Sequence, residues 1–258
     1  MLYVSTRGNS RPVSAAAAIR LGMVPLGGLF VPDAIPEVDI ATLPHGYQAL
    51  AAKILSVFLT DYTPDELEKF AAQAYHADRF ADPRITPLVH LDDTTSVLEL
   101  WHGPTAAFKD VALQMLPHLL TAAIAKEDGG REVVILVATS GDTGKAALEG
   151  FRDVPGTRII VFYPKNGVSR MQEAQMLTTG GSNTTVIGVE GNFDDCQTMV
   201  KELFADRELG ERLSRAGFEF SSANSINWGR LVPQIVYYFH AYFALVDAGR
   251  LKSGAPCN

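Results

Sequence analysis

Three short runs of β-branched and aliphatic residues, separated by helical patterns, constrain the fold of this chain more than any other feature. The runs are "EVVILVA" at 132–138, "TRIIVFYP" at 157–164 and "TTVIGVEG" at 184–191. Helical patterns follow them from about Gly144, around Gln172 and from Asp194. Nearly continuous apolar strands that alternate with helices are typical of a parallel sheet covered on both faces. The sequence therefore predicts an α/β fold built on a parallel sheet.

The first third of the chain carries helical patterns instead. They are "VSAAAAIRLG", "YQALAAKILSVFL" and "TPDELEKFAAQAYH", and in the last of these Thr63, Pro64 and Glu66 match an N-cap, a first helical position and a capping box. The following "ADPRITPL" carries two prolines and a change in composition, which indicates a domain boundary within 81–87. We predict a mainly helical N-terminal domain at 1–83 and an α/β domain at 84–258.

Charge and composition favour a small-molecule ligand. The chain of 258 residues has 29 acidic and 22 basic residues, a net charge of -7 and no basic stripe, which argues against nucleic acid as a partner. Cys196 and Cys257 form no C-x-x-C pair, and the six histidines show no H-E-x-x-H pattern, so we assign no disulfide and no metal. These features fit a reducing, cytoplasmic location.

Two segments raise the question of membranes and targeting. The most apolar one, "LVPQIVYYFHAYFALV" at 231–246, is shorter than a membrane span and includes Pro233, Gln234 and His240, so it predicts a buried helix. The N-terminus has several arginines and no acid before Asp33, which leaves an organellar transit peptide open as an alternative to the cytoplasmic assignment.

One lysine stands out in "LELWHGPTAAFKDVALQ" at 98–114. Lys109 follows a Gly-Pro turn and precedes an apolar helical pattern, so it is either a solvated residue of a first helical turn or a buried amine held for chemistry. Phe108 and Ala107 would form an apolar wall that removes water from the ammonium group and lowers its pKa. A lysine that forms a Schiff base requires that environment.

A second candidate site is the turn in "EVVILVATSGDTGKAALEGF". A turn rich in Ser, Thr and Gly at the end of a strand presents hydroxyls and backbone N–H groups at a helix N-terminus, which suits a carboxylate or phosphate. An ordinary strand-to-helix turn capped by Asp142 is the alternative. The P-loop pattern is not matched, because Thr139 and Ala146 occupy two of its defining positions.

Five motifs together resemble one family. "LELWHGPTAAFKD", "VATSGDTGKAA", "YPKNGVSRMQEAQM", "VEGNFDDCQ" and "NSINWGRLVPQIVYYF" are similar, in that order and with similar spacing, to motifs of the threonine synthases. Those enzymes depend on pyridoxal phosphate (PLP) and have the tryptophan synthase β-like fold. "YVSTRG" and "GGLFVPDAIP" resemble their N-terminal domain, so the resemblance covers essentially the whole chain.

The resemblance implies roles for individual residues. Lys109 would form the Schiff base with PLP, with Phe108 beside it and Asp142 next to the cofactor ring. The substrate would contact the remaining residues of the strand-to-helix turn and four later positions, of which Lys165 and Arg170 would anchor a phosphate. The complete substrate set is Thr139, Ser140, Gly141, Thr143, Gly144, Lys165, Arg170, Asn224 and Asn227. Solvated loop charges at Lys165 and Arg170, and a polar helix cap in "NSIN", are the alternatives.

The implied reaction converts O-phospho-L-homoserine and water to L-threonine and phosphate. A threonine-synthase-like phospho-lyase, which eliminates phosphate without making threonine, is an alternative that these motifs do not exclude. A catalytically incompetent fragment is a second alternative, because family members continue beyond Asn258 into a loop that cups the cofactor phosphate. If the chain is a finished product that ends at Asn258, we also expect an unfinished sheet edge and exposed apolar surface, and the oligomeric state stays open.

Overall fold

The computed structural model describes residues 1–25, 27–127 and 130–256 of the chain. Cys257, for which the sequence predicts no disulfide or zinc partner, and Asn258 lie outside the described residues. The helices are α1 (Ala15–Leu21), α2 (Tyr47–Phe58), α3 (Pro64–Ala74), α4 (Lys109–Leu113), α5 (Leu116–Lys126), α6 (Asp142–Phe151), α7 (Arg170–Leu177), α8 (Phe193–Ala205), α9 (Arg207–Arg215) and α10 (Trp228–Asp247). The strands are β1 (Tyr3–Ser5), β2 (Phe30–Pro32), β3 (Leu88–His90), β4 (Ser96–Leu98), β5 (Glu132–Ala138), β6 (Thr157–Pro164), β7 (Thr184–Val189) and β8 (Phe218–Ser222).

The centre of the fold is a parallel sheet with the strand order β7-β6-β5-β8. β5 pairs with a strand on each side: Ile135 lies opposite Ile159 of β6 and Ser221 of β8. Six of its seven residues are buried, as its continuous apolar sequence predicts. β8 was not predicted from the sequence, because "FEFSS" mixes an acidic residue and two serines into a half-buried strand.

Two apolar clusters cover the two faces of this sheet. Val133 and Ile135 belong to one cluster, and Val134 and Leu136 belong to the other, since successive side chains of a strand point to opposite faces. The first cluster extends through α5, α10 and the N-terminal helices. The second contains the fully buried Cys196 of α8, which packs as a small apolar side chain.

The N-terminal helices form where the sequence predicts them. Thr63 caps α3: its hydroxyl accepts from the Glu66 N–H while the Glu66 carboxylate accepts from the Thr63 N–H, which is a capping box. The region also contains the antiparallel pair β1 and β2, each only three residues long and therefore without a clear alternating pattern. The domain boundary at 83/84 stays a prediction.

Three helices, α4, α6 and α10, position the candidate site. α4 packs against α6 and α10, and α6 follows directly from the carboxyl end of β5. α6 starts at Asp142, two residues before the predicted start at Gly144. α10 forms where the sequence predicts a buried helix, but it is only partly buried, with Tyr238 67% exposed. No helix of the described residues is long and apolar enough to cross a membrane.

Candidate active site

Lys109 is the first residue of α4, and its side chain is sheltered but accessible. The side chain is 20% exposed, its ammonium group lies 4.6 Å from the centroid of the Phe108 ring, and it is 3.5 Å from a carboxylate oxygen of Asp142. The aromatic neighbour predicted from the sequence is therefore present. The structure also pairs two residues, Lys109 and Asp142, that lie in separate motifs of the sequence.

A buried carboxylate fixes the turn that leads into Lys109. Asp110 is completely buried and accepts hydrogen bonds from the N–H of Thr105 (2.8 Å), the hydroxyl of Thr105 (2.6 Å) and the N–H of Ala107 (3.4 Å). Ala106, between those donors, has a φ of 54°, a left-handed conformation that is unfavourable for alanine. Burial raises the pKa of Asp110, and the three donors oppose that effect. The bonds of Asp110 thus hold a strained turn in place.

The turn between β5 and α6 is organised by the buried hydroxyl of Thr139. Its oxygen accepts from the N–H groups of Gly141 (2.9 Å) and Gly144 (2.8 Å). Gly141 has a φ of 137°, and a Cβ atom there would overlap the side chain of Gln172, so the position requires glycine. Ser140 is exposed and Thr143 is half-buried at this helix start. The turn therefore presents polar groups beside Asp142, as the sequence predicts.

Gln172 joins this turn to α7, and the sequence motifs did not identify it as a site residue. Its amide donates to a carboxylate oxygen of Asp142 at 2.8 Å, and its carbonyl oxygen accepts from the N–H of Ser169. The capping-box spacing of Ser169 and Gln172 could have identified the helix start, but not the contact with Asp142. Asp142 is held between an ammonium group and an amide, with half of its side chain exposed.

Arg230 is the second residue that the sequence motifs did not single out. It lies in the first turn of α10, is only 2% exposed, and its guanidinium carbon lies 5.9 Å from the centroid of the Phe108 ring. Its Nε and Nη1 atoms are buried and have no hydrogen-bond partner among the described residues. Desolvation lowers the pKa of Arg230 to about 10. Two cations, Lys109 and Arg230, thus share the ring of Phe108.

The two asparagines of "NSIN" have different environments. Asn227 is fully buried: its amide donates to the carbonyl oxygens of Ile19 (2.9 Å) and Ser222 (2.8 Å), and its side-chain oxygen accepts from the Gly229 N–H. These bonds make Asn227 a cap of α10, and a substrate contact by this residue stays a prediction. Asn224 follows β8, and its amide donates to the carbonyl oxygen of Ala138, the last residue of β5.

Lys165 and Arg170 lie at the surface near the end of β6. Lys165 pairs with Glu190 at 2.7 Å, and this contact raises the pKa of the lysine. Arg170 is the first residue of α7 and is exposed. Both remain candidates for a phosphate contact, and Arg170 lies in α7, the helix that contains Gln172.

Comparisons with known proteins identify the relationship. A family model described as "Threonine synthase N terminus" matches residues 2–75. Threonine synthase of Pseudomonas aeruginosa is 41% identical over 99% of this chain and 52% of its own length. PLP-bound threonine synthase from Brucella melitensis superposes with a TM-score of 0.83 and 39% identity, over 99% of this chain and 53% of that chain. The chain is related to the threonine synthases.

The comparisons confirm the fold class, although the chain matches only part of each relative. The structure has the α/β fold of the PLP-dependent threonine synthases, as the sequence motifs predict. A human protein named "Threonine synthase-like 1" is also similar, at 39% identity over 93% of this chain and 34% of its own length. The chain spans about half the length of the threonine synthases that it matches.

Proposed function

We propose that this chain supplies the lysine-bearing half of a threonine synthase active site. The reaction would convert O-phospho-L-homoserine and water to L-threonine and phosphate, with PLP as the cofactor. The observation that carries this proposal is the position of Lys109: its amine lies at a helix start, beside an aromatic ring and a carboxylate, in a chain related to threonine synthases.

The residues of the site fit PLP. Lys109 offers a reactive amine, Phe108 is 42% exposed and offers the flat face of a ring, and Asp142 offers a half-exposed carboxylate beside the amine. Lys109 would hold the cofactor covalently, with Phe108 and Asp142 flanking its ring. When bound, the cofactor supplies an electron sink that stabilises negative charge on carbon atoms of the substrate.

The chain's own groups would then have two tasks. The amine of Lys109 would move protons at the α- and β-carbons of the substrate, for which its sheltered position beside Phe108 is suitable. Phosphate leaves from the γ-carbon of the substrate and water adds at the β-carbon. The second task is to bind the anionic groups of the substrate, for which Arg230 has two buried donors that no described residue satisfies.

Further residues would complete the substrate site. Gly141 and Gly144, held by Thr139, would keep the helix start open to an anion, with hydroxyls from Ser140 and Thr143. Lys165, Arg170, Asn224 and Asn227 remain in the proposed substrate set. We also propose a cytoplasmic location and a small-molecule substrate, and leave the oligomeric state open.

Covalent labelling tests the proposal directly. The purified chain is mixed with PLP and reduced with borohydride, and the modified peptide is identified by mass spectrometry. We expect stoichiometric labelling at Lys109, loss of labelling in Lys109→Ala, and unchanged labelling in Lys145→Ala, since Lys145 is a similarly sheltered lysine that pairs with Glu149. Scattered labelling over several lysines would contradict the proposal.

Product analysis with O-phospho-L-homoserine separates the remaining alternatives. Release of phosphate with threonine supports the synthase. Release of phosphate without threonine supports the phospho-lyase. Labelling at Lys109 without any phosphate release would show that this chain binds the cofactor but does not complete the reaction.

A further inference from the structure

A cavity lies away from the lysine-bearing end of α4. It has a volume of 540 Å³, which is within the range of small-molecule sites. Its walls come from α3, from the α4–α5 segment, and from the end of α6 with the loop that follows. The residues that carry the argument are Arg79, Gln114, Pro117, His118, Arg152 and Asp153.

One buried polar group of this cavity lacks a hydrogen-bond partner in the part of the chain that the structure describes. Gln114 is 5% exposed, and its amide nitrogen is buried without an acceptor among those residues. A buried amide N–H that makes no hydrogen bond destabilises the folded chain. A ligand with an acceptor atom at this position would remove that destabilisation.

The charge of the wall favours an anion. Two arginines line the cavity, Arg152 and Arg79, and both also contact the carboxylate of Glu149, which is not a lining residue, at 3.2 Å and 3.9 Å. Asp153 also lines the cavity, but its carboxylate accepts from the N–H and the hydroxyl of Ser182. The two lining cations, Arg79 and Arg152, against the one lining carboxylate, Asp153, leave the wall with an excess of positive charge.

The rest of the wall is apolar or aromatic. The ring of His118 stacks on that of Phe70, with centroids 5.9 Å apart and planes 14° apart, and Pro117, Val154 and Pro155 complete this side. Burial, Arg79 and Lys69 lower the pKa of His118, which therefore presents a neutral ring at neutral pH. The cavity thus combines cations, a buried N–H donor and a flat apolar surface.

We propose that this cavity is a second small-molecule site, which takes a carboxylate with an apolar body. The carboxylate accepts from the Gln114 amide and faces Arg79 and Arg152, and the body lies against the Phe70–His118 stack. The site is separate from Lys109, because Lys109 and Gln114 stand at opposite ends of α4.

Benzoate is a suitable probe, with benzamide as its uncharged analogue. Binding to the 258-residue chain is measured by NMR line broadening and by isothermal titration. We expect saturable binding of benzoate, at least tenfold weaker binding of benzamide, and at least fivefold weaker binding of benzoate to Gln114→Leu and to Arg79→Met. Arg158→Met is the control, since Arg158 is an exposed arginine over the ring of Phe218 outside this cavity.

Lys109→Ala separates this inference from the proposed function. That variant should bind benzoate as the unmodified chain does, even though it can no longer be labelled by PLP. Equal affinity of benzoate for the unmodified chain, Gln114→Leu and Arg79→Met would overturn the inference, as would the absence of saturable binding. If Gln114→Leu does not fold, Arg79→Met alone decides, since its side chain is 41% exposed and removable without a core defect.

Discussion

Gly150 is a position where α6 packs directly against the backbone of α4. A Cβ atom on Gly150 would overlap the carbonyl oxygen of Leu113 and lie 3.1 Å from its carbonyl carbon. Both are backbone atoms, so no change of rotamer removes the overlap. Since Cβ contacts below 3.0 Å essentially do not occur, Gly150→Ala must push the two helices apart.

The size of the effect depends on two opposing contributions. Overpacking of this kind costs about 1–3 kcal/mol or more, whereas replacing a helical glycine by alanine returns about 0.5–1 kcal/mol. We expect Gly150→Ala to lower the free energy of unfolding by about 2 kcal/mol. For a chain of this size that corresponds to a Tm lower by about 4–8 °C.

Thermal and urea unfolding followed by circular dichroism measures this effect. Gly210→Ala is the matched control, because Gly210 is also helical and a Cβ atom there meets nothing within 4 Å. The control should be neutral or more stable by up to about 1 kcal/mol. A Tm of Gly150→Ala equal to that of Gly210→Ala would refute the reasoning about the α4–α6 contact.

Gly150→Ala should also reduce labelling of Lys109. α4 begins at Lys109 and α6 begins at Asp142, so a displacement of one helix against the other changes the 3.5 Å contact between the two side chains. We expect slower labelling of Lys109 by PLP and borohydride in Gly150→Ala than in Gly210→Ala. Equal rates would show that the displacement of the helices does not change the contact between Lys109 and Asp142.

Three further changes test other contacts. Asp110→Ala should lower the free energy of unfolding by about 2–3 kcal/mol in urea titrations, since it leaves the partly buried N–H of Thr105 without its acceptor, whereas Asp110→Asn should cost about half as much. Arg230→Met should raise the Tm of the ligand-free chain, because it removes buried donors that no described residue satisfies, and should abolish stabilisation by inorganic phosphate. Arg84 lowers the pKa of Asp82 to about 2, so this pair stabilises the fold above about pH 4 and loses its effect as the pH falls toward 2. Tm measurements from about pH 5 to about pH 2 should therefore show a shallower decline for Asp82→Asn.

Local patterns predicted the features whose physical cause is local. The strands β5 and β6 are continuous apolar runs, and α3 is indicated by Thr63 and Glu66, whose bonds lie within one helical turn. Lys109 could be singled out because a turn, an aromatic residue and an amphipathic pattern surround it in the sequence. Each of these signals involves residues fewer than about ten positions apart, a range in which hydrophobic periodicity and capping are informative.

The contacts that complete the site are long-range, and no local pattern encodes them. Gln172 is 30 residues from the carboxylate that it contacts, and Arg230 reaches the ring of Phe108 from another helix. The sequence could not show that Asn227 caps α10 through bonds to Ile19 and Ser222, and its substrate contact stays a prediction. Sequence identifies such residues as polar, but only the fold decides whether their polar atoms are bonded.

Arg230 shows why that distinction matters for function. A guanidinium group in a side chain only 2% exposed, with two donors that no described residue satisfies, destabilises the chain that contains it. Asp110, by contrast, is equally buried but accepts three hydrogen bonds, so it stabilises the turn before Lys109. Arg230 lies against the same Phe108 ring as the candidate catalytic amine of Lys109. Its buried and unsatisfied cation is therefore best explained by a ligand that supplies the missing negative charge. If Arg230→Met left the Tm of the ligand-free chain unchanged, the guanidinium would already be satisfied in solution and this explanation would fail.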